Sequence, residues 1–216
     1  KGLIQVAIKL LGRMLKNDNL PTRVKVEMFF RLTNNIAAPL MILLALLHLP
    51  VLIVRYNQGF FHLLLFDVPI LLFSSLSVIA FYGSAQYYLH PKTWKKRLKY
   101  LPLVMGMGIG LTFSNARAVI EALFGIQSSF VRTPKYKVES RKDNWLSQAM
   151  KYRRNMGLIP YLEVLTAIYF IATIYYAFTR SILGTIPFLF IFLFGYGYTG
   201  IMSMFQSTWQ RLFKAK

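Results

Sequence analysis

The sequence predicts an all-α integral membrane protein with four transmembrane helices and two further helical segments, interfacial or re-entrant, on the cytoplasmic face. Three observations predict it. Apolar residues fill 56% of the 216 positions and charged residues only 15%, a balance foreign to soluble domains. Four runs are long and apolar enough to cross a bilayer. The cations, 26 Lys and Arg against 7 Asp and Glu, gather between those runs on one side. In a soluble protein this excess would point to nucleic acid; here it reads as loops held at the cytoplasmic surface, with the lipid bilayer as partner and no nucleic acid. There are no cysteines, which excludes disulfides, thiolate metal sites and cysteine nucleophiles.

Residues 1–35 open the chain, and within them 3–15 form a basic amphipathic helix. Its apolar set is Leu3, Ala7, Leu10, Leu11, Met14 and Leu15; Gln5, Lys9, Arg13 and Lys16 make the opposite stripe. The runs 36–54 and 61–82 form a first transmembrane hairpin within 36–82. Residues 83–158 are a basic cytoplasmic region. Its apolar run 101–113 has only 13 residues and carries Gly106, Gly108 and Gly110, so it is expected to be re-entrant or interfacial. A second amphipathic helix follows from Ser114 to Phe124, with an Arg117 to Glu121 pair at i,i+4 and Gly125 as its C-terminal stop. After a polar loop, the runs 159–178 and 182–205 make the second hairpin of the final segment, 159–216.

With these spans, 24 cations fall on one side and 2 on the other, so both termini and the region 83–158 are expected in the cytoplasm. If 101–113 crossed the bilayer instead, 90–100 and 132–154 would lie on opposite faces, each strongly basic.

Soluble-enzyme signatures such as a glycine-rich phosphate loop, a nucleophile elbow or a His-Glu-x-x-His run do not occur. Asp67 lies roughly 10 Å inside the second span, which makes it a candidate intramembrane polar site, or else a cap for the turn broken by Pro69 or a partner for a neighbouring Tyr or Ser. Glu163 lies one turn inside the third span. His48 and His62 sit near the outer boundary and His90 precedes a proline; haem or chlorophyll ligation competes there with ordinary interfacial histidines. Tyr169, Tyr175, Tyr176, Tyr196 and Tyr198 could line a carbohydrate path, with Tyr169, Tyr176 and Tyr196 the foremost candidates, or could pack helices. The segment Phe130-Val131-Arg132-Thr133-Pro134-Lys135-Tyr136 is a proline-restricted polar loop carrying a hydroxyl and two cations, suited to a diphosphate at the membrane surface.

The order of these features, with the Phe-x-x-Thr-Pro-Lys pattern of Phe130, Thr133, Pro134 and Lys135, resembles the C-terminal membrane region of bacterial family 2 glycosyltransferases, the cellulose synthase-like and mannan synthase-like enzymes. In the cellulose synthases the valine of Phe-x-Val-Thr-Pro-Lys stands where this chain has Arg132. The segment 114–123 and the opening Lys1-Gly2 resemble the same region. The resemblance implies that 126–142 is a gating loop closing over a nucleotide sugar, with Thr133 and Lys135 donating to the diphosphate. It implies that the membrane helices guide a growing glycan, and that the protein resides in a bacterial inner membrane. The catalytic motifs of such enzymes, including the carboxylates for a divalent ion (Mg or Mn), are not in this chain, so catalytic residues and metal are expected in an upstream catalytic domain. The rival expectation is a non-catalytic membrane subunit of a larger complex, carrying pigment or haem, derived from a truncated glycosyltransferase. A small transporter is a third, with only Asp67 and Glu163 available for ion coupling.

Overall fold

The computed structural model describes residues 1–58, 68–126 and 157–214, and among these there are helices and no strands. In chain order the helices are α1 (Gly2–Leu15), α2 (Thr22–Thr33), α3 (Ala37–Gln58), α4 (Val68–Leu89), α5 (Trp94–Arg97), α6 (Leu101–Gly110), α7 (Thr112–Leu123), α8 (Ile159–Thr179) and α9 (Ile186–Lys214). Four helical runs among the described residues are long and apolar enough to cross a membrane: Thr22–Val54, Trp94–Leu123, Ile159–Thr179 and Leu183–Phe205. The expected all-α membrane architecture is therefore present. Its outward surface is apolar, with Leu40, Leu43, Leu165, Ile168 and Ile201 all more than half exposed, as lipid-facing residues must be.

Three of the four runs match the expected spans, covering 36–54 and 159–178 in full and 182–205 from Leu183 onward. The expected second span, 61–82, begins outside the described residues and continues as α4, which packs on α5. The fourth long run is instead Trp94–Leu123, and the glycine-rich stretch 101–113 sits at its centre as α6 and the start of α7. Glycine there serves close packing rather than helix termination. A Cβ on Gly106 would meet the Phe194 ring and, at 3.2 Å, the Ile191 carbonyl; one on Gly195 would strike the Gly106 carbonyl and stand 3.2 Å from the Gly110 nitrogen. A Cβ on Gly110 would strike Gly195 and Thr199. Backbones this close make small residues obligatory, the usual solution where lipid supplies no hydrophobic drive between helices.

These contacts advance in the same direction on both helices, from Gly106 beside Ile191 to Gly110 beside Thr199, so α6 runs parallel to α9. Helix α8 runs antiparallel to α9, pairing Val164 with Gly200, Ala167 with Gly197 and Phe170 with Phe192. Helix α3 runs parallel to α8: Leu46 and Leu49 meet Tyr169, and further along Tyr56 meets Arg180. The result is an up-and-down arrangement of α3, α6–α7, α8 and α9. Its core is built from Ala45, Leu52, Ile109, Ala167, Phe170, Ala177, Leu189 and Tyr196.

Two local features show how the sequence supports this packing. Pro50 lies inside α3 and has no N–H to give the Leu46 carbonyl. The Tyr169 hydroxyl donates to that carbonyl at 2.7 Å and accepts from the Leu49 N–H at 2.9 Å, closing the gap from a neighbouring helix. On α1, the residues turned toward α7 are Ile4 and its helical neighbours; Ile4 packs on Val119 and Ala122, while Leu3 and Leu10 face outward.

Candidate functional site

The end of the bundle that receives α1 gathers the polar groups. Helix α7 buries Thr112, Ala116, Val119 and Ala122 on one face, which leaves Arg117 and Glu121 on another. Arg117 Nε donates to Glu121 Oε1 at 2.8 Å, and Lys1 Nζ donates to Glu121 Oε2 at 3.0 Å. One carboxylate thus ties the start of α1 to the last turn of α7. The helix closes as its sequence predicts: Gly125 takes the left-handed conformation at φ +69°, and the Ile126 N–H returns to the Glu121 carbonyl at 2.9 Å. On the far side of the polar loop, a Cβ at Gly157 would stand 3.5 Å from Arg117 Nη1. Both ends of segment 126–157 therefore leave from one small region, beside Lys1.

Just within the bundle from this point lies Glu163, only 3% exposed. It belongs to the face of α8 that carries Thr166, Ala167, Phe170, Thr173 and Ala177 at helical spacing, all buried. Gly200 admits it: a Cβ there would lie 3.1 Å from Glu163 Cβ. Beside it the Thr199 hydroxyl donates back to the Gly195 carbonyl at 2.9 Å. One turn deeper, the Tyr196 and Thr112 hydroxyl oxygens are 3.1 Å apart, and Thr112 donates to the Ile109 carbonyl at 2.6 Å. Glu163 Oε2 is buried with no hydrogen-bond partner among the described residues. A carboxyl oxygen so placed is costly, and inside a membrane protein it marks a place able to hold a proton or accept a hydroxyl.

No family model, curated protein or solved structure matches the chain. What the site can do is therefore carried by its own geometry.

The loop residues Phe130, Arg132, Thr133, Pro134 and Lys135 lie outside the described residues, as do Asp67 and His62. The three foremost tyrosines do not gather around an open path. Tyr196 is fully buried between Thr112 and the Phe170 ring, and Tyr169 is spent on the α3 backbone. Tyr176 lies under the Arg180 guanidinium, 5.8 Å from its ring centre, at the end away from Lys1. Tyr175 and Tyr198 face outward. His48 packs against Phe170 and Phe192, with ring centres 6.0 and 5.5 Å away. Glu163, expected one turn inside the third span, is the carboxylate that this end of the bundle encloses among the described residues. Its helical register with threonines and small residues was the available signal.

Proposed function

We propose that this chain is the membrane channel and gate portion of a processive glycosyltransferase. In such an enzyme a hexose passes from a nucleotide sugar to a growing polysaccharide, which is guided through the bilayer. The observation that supports it is the convergence at one end of the bundle: Lys1, the last turn of α7 and both ends of the segment that carries Thr133 and Lys135 meet at the Arg117–Glu121 pair. A catalytic domain joined before Lys1 would sit beside that loop, where a gate over a nucleotide sugar has to be. The loop chemistry fits: a hydroxyl at Thr133 and a cation at Lys135 are donors for charge building on a leaving diphosphate. This reading places the divalent ion, Mg or Mn, in the upstream domain and assigns none to this chain. It also puts both termini and the loop in the cytoplasm of a bacterial inner membrane, in keeping with the excess of cations at that end.

In the intact enzyme, Thr133→Ala and Lys135→Ala should each lower turnover by about 10- to 1,000-fold, the usual effect of losing a donor to developing negative charge, with thermal stability unchanged. Polymer synthesis measured in membranes checks this. Undiminished synthesis in the double variant would leave the other reading, a non-catalytic membrane subunit of a larger complex.

A further inference from the structure

Where the C-terminal part of α4 meets α5 and the start of α6, there is a cleft of about 570 Å³. Lys96, Arg97 and Lys99 line it together with Leu101 and Val104 of α6, and Gln86 reaches it from α4. Lys92 and Lys95 bring the local count to five cations in eight residues. No carboxylate forms an ion pair with any of them among the described residues. Lys95 and Lys99 instead rest on the Trp94 and Tyr100 rings, at 5.7 and 4.9 Å, an arrangement that leaves the positive charge unneutralised. Gln86 Oε1 is buried and has no hydrogen-bond partner among the described residues. The apolar wall is the first turn of α6, which continues along α9 into the apolar body of the protein.

We propose that this cleft binds the headgroup of an anionic phospholipid. The phosphate is held by Lys96, Arg97 and Lys99, a headgroup hydroxyl donates to Gln86 Oε1, and an acyl chain lies along Leu101 and Val104. The charge favours an anion, and the amide oxygen, without a partner among the described residues, favours a donor. The apolar wall requires a tail, which a soluble phosphate lacks. A glycerol headgroup on a phosphodiester meets all three requirements; a choline headgroup has neither the net negative charge nor the hydroxyl. The site lies at the end of the bundle away from Lys1 and owes nothing to the glycosyltransferase reading.

The test is native mass spectrometry of the full chain released from nanodiscs containing equal amounts of phosphatidylglycerol and phosphatidylcholine. Wild type should retain phosphatidylglycerol selectively. Each cation near a membrane surface contributes about fivefold to anionic lipid binding, so the triple variant Lys96→Gln, Arg97→Gln, Lys99→Gln should lose at least tenfold of that selectivity. Gln86→Leu should lose several-fold with all cations in place. The control triple Lys9→Gln, Arg13→Gln, Lys16→Gln on α1 and its C-cap removes the same charge elsewhere and should keep the selectivity. Circular dichroism confirms that each variant retains its helix content. Equal loss in the control, unchanged selectivity in the cleft variants, or displacement of the lipid by millimolar inorganic phosphate would overturn the assignment.

Discussion

Tyr169 shows what a single side chain can carry in this protein and how little of it the sequence declares. Its ring belongs to α8, but its hydroxyl completes α3 at the point where Pro50 withholds a donor. Tyr169→Phe removes the hydroxyl that accepts from the Leu49 N–H and donates to the Leu46 carbonyl. It should lower stability by about 1–3 kcal/mol, measured by thermal unfolding in detergent. The proline was visible in the sequence; the partner 120 residues away was not, because hydroxyl pairing across helices leaves no periodic trace. Glu163 is the opposite case, a carboxylate plainly placed in a span whose burial depended on Gly200 making room. Glu163→Gln replaces a buried carboxyl whose Oε2 has no hydrogen-bond partner among the described residues, so the unfolding temperature should hold or rise, by the equivalent of about 0–2 kcal/mol. A clear fall would mean that the carboxylate has a partner that the amide cannot replace.

Among the elements, the amphipathic segments were legible and the glycine-rich one was misleading. The pattern over 3–15 gives α1, and Gly125 ends α7 where a C-terminal glycine should. Periodicity cannot say which apolar residues meet protein and which meet lipid, so Ile4 rather than Leu3 turns out to hold α1 to α7. In α6, three glycines within 13 apolar residues lowered its apparent fitness to cross the bilayer. Their value appears only opposite Gly195 and Thr199, since propensity scales score a helix alone and not the backbone it touches. The two kinds of glycine separate by experiment. Gly195→Ala drives a methyl into the Gly106 carbonyl and should cost about 1–3 kcal/mol, whereas Gly108→Ala meets nothing within 4 Å and should be neutral or stabilising by up to about 1 kcal/mol. Equal effects in a detergent unfolding assay would mean that α6 does not lie against α9.

For the whole molecule, composition and hydropathy were enough to give the all-α membrane class, and three of the four long apolar runs fell where hydropathy put them. Charge counting was the weaker guide. It grouped 90–100 with 132–154 on one face, because loop cations are tallied without knowing which helices pair. The parallel course of α6 and α9 sets Lys92–Lys99 at the end that holds Arg180 and Tyr56, away from Lys1 and the base of the polar loop. Among the described residues a basic cluster therefore lies at each end, Lys92–Lys99 at one and Lys1 with Arg117 at the other. The chain has no cysteine, so single cysteines can report on each face without background. The most direct measurement is labelling of Lys95→Cys, Gln58→Cys and Lys137→Cys with a membrane-impermeant maleimide applied to intact cells. An α6–α7 segment that crosses beside α9 predicts labelling at positions 58 and 95 from outside and at 137 only after the membrane is opened. Labelling of 95 together with 137, and apart from 58, would contradict the bundle described here and return 101–113 to the cytoplasmic face.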